Sequence, residues 1–241
     1  MMRYHCDLHI HTCLSPCGSL DQSPAAIAWA AKDAGLDAIA IADHNSALNA
    51  AVTARLAREA GLACLCGLEV TTIEEAHVLC LFDAPGPAEE LGEIIYRQFP
   101  ERARVDGLAE EQLVVDEEEH VLGSVDRFLV AASAFSVAEL EPEVLGRGGL
   151  LIPSHLDREL FSLVSQLGFL PEGRYDAVEL TRPPEDGRTY AGYPAIATSD
   201  AHAPGQIGRR HTRIEAPGFN VASLRAALSA GRAIPVWHPV Y

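Results

Sequence analysis

The sequence predicts a mixed α/β domain whose strands close into a barrel, and three observations predict it. Short apolar runs alternate with longer helical stretches along most of the 241 residues. Those runs are rich in Ala, Leu, Val and Ile, with aromatics at only 6%, which suits strands covered by helices better than a β-sandwich. Nearly all the side chains able to do chemistry fall at the carboxyl ends of the runs, where α/β barrels build their sites.

The expected strands are residues 4–10, 38–42, 63–68, 77–82, 150–153, 177–180 and 195–199. About seven strands in one chain favour a barrel over an open sheet, and strand–helix alternation favours parallel βαβ units. Ser23 and Pro24 open the first helix as cap and first residue, and Gly35 stops it. A second, residues 49–60, stops at Gly61. Residues 87–98, 136–145, 158–166 and 221–230 supply the others, with Ser136 and Glu139 spaced as a capping box. Residues 100–133 read as an acidic insertion between the fourth and fifth strands: a lid, an interface or a solvated excursion. The region around Gly18 lacks both the dinucleotide and the P-loop spacing.

The net charge is 18 − 34 = −16. Such a surface repels duplex nucleic acid and anionic lipid, but leaves a small phosphorylated substrate open. The six cysteines, Cys6, Cys13, Cys17, Cys64, Cys66 and Cys80, all lie in the first third and read as reduced thiols. With no apolar leader and no run near ~18 apolar residues, the expectation is a soluble, cytoplasmic protein with no membrane partner.

The chemistry gathers in short clusters. In Asp7-Leu8-His9-Ile10-His11-Thr12, residues two apart share a strand face, so His9 and His11 point together as two nitrogen ligands of one metal must. Asp7 shares that face and is placed to orient a histidine. Cys17 is either a soft metal ligand or a small buried hydrophobe. Asp43 and His44 end the second run, Glu69 ends the third, and His155 follows the fifth. Asp200 and His202 follow the seventh; His77 is the exception, at the start of the fourth. Arg158, Arg209 and Arg210 come just after these motifs, as phosphate clamps or as plain surface residues. His5, His120, His211 and His238 read as surface or packing histidines, and Cys64 and Cys66 as packing.

The ordered set DLHIHT, ADHN, GLE, PSHLDR and SDAH resembles the PHP family, named for polymerase and histidinol phosphatase, from about His5 to Arg210. The resemblance implies a distorted (β/α)7, TIM-like barrel as a single domain. Residues 1–210 would form it, and 211–241 a short extension packed on it. It implies two to three divalent metal ions, zinc, iron or manganese. His9, His11, Glu69 and Asp200 would hold one; Glu69, His77 and His155 a second; Cys17, His44 and His202 a third. Relatives usually carry Asp or His where this chain has Cys17, so the third site is thiolate-ligated, weaker or empty. The implied activity is phosphoester hydrolysis by metal-activated hydroxide, on a small phosphomonoester. Arg158 and Arg209 would bind substrate, with Arg158 and Asp43 catalytic, Asp43 by orienting a ligand or relaying a proton. The alternatives are a nuclease or nucleotide phosphoesterase on short single-stranded ends, and a non-catalytic metal-bound scaffold. An amidohydrolase of related type would want a carbamylated lysine, and the only lysine is Lys32, in a predicted helix.

Overall fold

The computed structural model describes residues 1–99, 111–185 and 187–237. In chain order the elements begin β1 (Met2–Ile10), α1 (Pro24–Asp33), β2 (Ala38–His44), α2 (Ala50–Glu59), β3 (Ala63–Thr71) and β4 (His77–Phe82). There follow α3 (Pro85–Gln98), β5 (Leu113–Val115), β6 (Val121–Ser124), α4 (Val137–Gly146), β7 (Leu150–Pro153) and α5 (Leu163–Leu167). The last are β8 (Val178–Leu180), β9 (Thr189–Tyr190), β10 (Tyr193–Ala197), β11 (Arg210–Ala216), α6 (Val221–Ser229) and β12 (Ala233–Trp237).

A seven-stranded sheet runs in the order β12-β11-β1-β2-β3-β4-β7, and a smaller one in the order β8-β10-β9. The main sheet curls, and the second lies across its opening. Leu151 and Asp176 exchange hydrogen bonds between β7 and the approach to β8. A parallel bridge, Ile10 to Ala201, joins the end of β1 to the segment after β10. This is the distorted barrel, and each of the seven expected strands contributes to it.

Inside, Leu8, Ala40, Leu65, Leu79, Ile152 and Ile196 from six strands form one cluster with Leu224 of α6. Outside, Ile39, Ile41, Leu68 and Val78 pack with Ile27, Ala54 and Leu91 of the helices. Helix starts follow the expected caps. Ser23 accepts from the Ala26 N–H, and Ser136 and Glu139 form a reciprocal capping box.

Two expectations need correction. The strands are not uniformly parallel: β4 runs antiparallel to both β3 and β7. A parallel crossover needs about a dozen residues, and only residues 72–76 separate β3 from β4. They make a tight turn in which Thr72 N–H bonds to Ala76 O and Glu75 has φ 58°. Gly67 allows the close pairing, since a Cβ there would lie 2.4 Å from Cys80 O and 2.6 Å from Leu81 Cδ2. The helix expected at 158–166 is only α5, capped by Ser162. Residues 157–161 turn instead: Asp157 accepts from the Thr181 and Arg182 N–H groups, and Phe161 takes φ 58°.

The segment expected as an insertion at 100–133 lies outside the described residues up to 110. From 112 it folds onto the barrel. β5 pairs with β6, Gln112 is buried, and Leu14, Val125 and Leu129 form a small core. Residues 210–237 form β11, α6 and β12, so this part of the chain adds two antiparallel strands beside β1.

Candidate metal centre

A bulge in β1 sets up the site. The β1–β2 register shifts between Asp7 and Ile10. Leu8 therefore packs inside and Ile10 outside, although they are two apart. His9 and His11 end up together above the inner core, both fully buried, with Nε2 atoms 3.0 Å apart. Asp7 does not join them as expected. It accepts the Ser199 and Gly208 N–H groups at 2.9 Å each, fixing the loop that carries Asp200 and His202.

The other candidate ligands arrive from strand ends. β2 ends on His44, and β3 carries Glu69 opposite it in register. The antiparallel direction of β4 explains the outlier, because its first residue, His77, lies at the same end as the last residues of β3. His155 follows β7 at that end, and Asp200 and His202 follow β10. Glu69 is central. Its Oε1 lies 3.4 Å from His9 Nε2, 3.2 Å from His77 Nδ1 and 3.3 Å from His155 Nε2. Its Oε2 lies 3.6 Å from His11 Nε2 and 3.2 Å from His44 Nδ1. Asp200 Oδ1 lies 3.4 Å from His9 Nε2 and 3.2 Å from His11 Nε2, and its Oδ2 takes the Arg158 guanidinium at 2.6 Å. The ligand atoms of His9, His11 and Glu69 converge, as do those of His44, Glu69 and His77, and those of His11, His44 and His202.

Hydrogen bonds preset the tautomers. His9 Nδ1 donates to buried Glu179 at 3.0 Å. Ser15 Oγ–H donates to Asp43 Oδ1 at 2.6 Å, so at 2.9 Å it accepts from His11 Nδ1–H. Both histidines then present Nε2 lone pairs to each other, an arrangement that needs a cation or a proton between them. Buried Glu69 Oε1 and His44 Nδ1, inside the cluster, have no hydrogen-bond partner, nor do His77 Nε2 and His155 Nδ1, the ring nitrogens opposite those nearest Glu69. Unsatisfied buried nitrogen and carboxylate donors are costly alone and are a fitting environment for divalent transition metals.

Electrostatics agree. Burial works to raise the Glu69 pKa, yet His77, His9 and the His155 contact hold it well below the usual carboxylate range. Asp200 is held low against burial by His9 and His11. Burial, with the charge at His202, lowers the His11 pKa to about 4, and burial with His11 lowers that of His44. His9 goes the other way. Burial opposes its charge, but Glu179, Glu69 and Asp200 hold its pKa well above 6.5.

Backbone strain collects here. Asn45, His155, Phe161 and Asp200 have φ of 50°, 29°, 58° and 53°. Asn45 is anchored by donating to Leu129 O and Ala131 O, and accepts from Thr71 N–H.

Of the remaining expected residues, Cys17 is exposed on the loop after β1. Partial burial and the Glu69 and Asp200 carboxylates push its thiol up to about 12. Asp43 is fully buried and taken up by Thr12 N–H, Thr12 Oγ and Ser15 Oγ, so it reaches the cluster only through Ser15. Arg209 is exposed, whereas Arg210 is fixed by Thr198 O and Ser199 O. His5 and His211 pair with each other, His120 caps with Asp116, and His238 lies outside the described residues. Sequence reasoning missed Glu179. It also binds the His155 N–H at 2.9 Å and Thr198 Oγ. The clue was a lone carboxylate in the otherwise apolar run Ala177-Val178-Glu179-Leu180.

The comparisons fit this geometry. The profile of the PHP domain matches residues 7–152, and the PHP-associated profile residues 189–233. The chain belongs to the PHP family. No curated protein matches it significantly. Among solved structures, the lesion-specific endonuclease PfuEndoQ from Pyrococcus furiosus shares the fold at 18% identity and a TM-score of 0.69. That match covers 97% of this PHP chain, which spans only 58% of the endonuclease. A protein from Bifidobacterium adolescentis assigned as a metal-dependent phosphoesterase gives 18% identity and a TM-score of 0.52, covering 83% of this chain and 88% of its own. An amidohydrolase from Chromobacterium violaceum gives 19% and 0.56, covering 95% and 97%. Among the described residues of this PHP protein, no helix is long and apolar enough to cross a membrane.

Proposed function

We propose that this PHP protein hydrolyses a small phosphomonoester with two or three zinc, iron or manganese ions held by the cluster. The observation that carries the reading is Glu69, ringed by five histidines, beside an Asp200–Arg158 pair at the mouth of the site. His9, His11, Glu69 and Asp200 would hold one ion, and Glu69, His77 and His155 a second. His11 has one nitrogen to offer, because Ser15 engages the other. His44 and His202 would hold a third ion, with Cys17 as its candidate thiolate. Bound divalent cations lower the pKa of a water and neutralise phosphate oxygens.

The protein's own groups do the rest. Glu179 and the Asp43–Ser15 pair fix the tautomers of His9 and His11. Asp43 thus acts by positioning. Arg158 lies 38% exposed with one nitrogen on Asp200, leaving donors to hold a phosphate. Arg209 is a second, outer phosphate contact.

The fold shared with an endonuclease favours a second reading, phosphodiester hydrolysis on nucleic-acid ends. The net charge of −16 favours the monoester. Metal-loaded protein assayed on 4-nitrophenyl phosphate, bis(4-nitrophenyl) phosphate and short DNA decides between them. Monoester turnover at least about tenfold above the others, abolished by His9→Ala with the fold intact, is expected. Diester or DNA cleavage as the faster reaction would overturn the monoester reading.

A further inference from the structure

Beside the metal cluster lies a cavity of about 310 Å³ that the chemistry above does not use. Leu156, Val164, Leu180, Pro184 and Tyr190 supply apolar lining, and the charged residues Arg158, Arg182, Asp157 and Glu159 line it too. It borders the site through Arg158, which lines the cavity and also binds Asp200. Leu156 follows the ligand His155 directly, and its N–H is held by Glu179 O at 2.9 Å.

The polar groups of this wall are unequal. Asp157 is spent on the Thr181 N–H and Oγ and the Arg182 N–H, and the Ser165 hydroxyl is spent on Ser162 O. The Arg182 side chain is 77% exposed, with only a 3.5 Å contact to Asp157. Its guanidinium remains available as a second cation lining the cavity besides Arg158. A ligand satisfying all of this has a phosphate at Arg158 and the cluster, a cyclic apolar body against Tyr190 and Leu180, and an anionic group at Arg182.

We infer that this cavity binds the alcohol part of the substrate, and that the substrate class is a phosphoester of a cyclic alcohol bearing an anionic substituent. The inference rests on the proposed phosphoester reading, and the two are tested separately. Metal-loaded wild type, Arg182→Gln and Tyr190→Ala are assayed on 4-carboxyphenyl, phenyl and methyl phosphate. Arg182→Gln should lower the ratio of kcat/KM on the carboxyphenyl ester to that on the phenyl ester about tenfold. Tyr190→Ala should lower the phenyl-to-methyl ratio by about the same factor. Ratios unchanged in both variants would overturn the inference and leave the proposed function standing. Hydrolysis of none of these esters by wild type would overturn the function. The cavity is then judged on binding of 4-carboxybenzylphosphonate. About tenfold weaker binding by Arg182→Gln supports the cavity, and equal binding refutes it.

Discussion

His9 and His11 carry the logic of the site in two nitrogens. Each has its Nδ1 committed, to Glu179 and to Ser15, so each Nε2 faces the other at 3.0 Å with a lone pair to share. Glu179→Gln removes the charge that fixes His9. It should weaken metal binding by about 10- to 100-fold, measured by competition with a chelator; unchanged affinity would contradict the role given to Glu179. A pH dependence follows from the same pair. The raised pKa of His9 stabilises a proton-bridged site below pH 6.5, and that contribution is lost as pH rises through the folded value. A metal must displace this proton, whereas His11, with a pKa of about 4, is already neutral. The rise in Tm on adding zinc should therefore grow from pH 6 to pH 8, and a gain that shrinks over that range would contradict the account. The sequence showed the two histidines, because a spacing of two on a strand is a strong geometric statement. It hid Glu179, because one carboxylate inside an apolar run reads as an irregularity of the strand.

The turn between β3 and β4 shows what periodicity leaves out. Apolar runs located seven strands of the two barrel sheets and missed β9, β11 and β12, and a run carries no direction. The direction lay in the gap: only eight residues separate the expected strands ending at Leu68 and starting at His77, too few for a parallel crossover. The hairpin brings His77 to the metal end, and Gly67 lets the two strands meet. Gly67→Ala should destabilise the fold by about 1–3 kcal/mol, since its Cβ would fall 2.4 Å from Cys80 O. Denaturant unfolding measures this, and an unchanged midpoint would contradict the tight β3–β4 packing. The β1 bulge was equally invisible. An inserted residue changes which side chains share a face without changing composition, which is why Asp7 went to the 199–208 loop instead of a histidine. The helix expected at 158–166 failed for a tertiary reason, since Asp157 and Arg158 are claimed by β8's outgoing loop and by Asp200.

The whole molecule is a ring of strands that delivers one set of side chains to one end, closed by the Ile10–Ala201 bridge next to the ligands it aligns. That convergence was legible from sequence, because the histidines and carboxylates sit at strand ends while ordinary core histidines would scatter. The packing of residues 112–131 against the site was not legible, because it depends on backbone carbonyls of Leu113, Leu129 and Ala131 meeting Asn49 and Asn45. The molecule carries a net charge of −16, with Glu69, Glu179, Asp43 and Asp7 buried and Asp200 half-buried around the centre, and bound cations would offset part of that charge. This end of the barrel is proposed as a multinuclear metal centre. Elemental analysis of the purified protein, before and after reconstitution with zinc, iron or manganese, tests it most directly. At least about two equivalents per chain are expected, falling to one or fewer in Glu69→Gln. A protein that holds none and takes up none on reconstitution would contradict it.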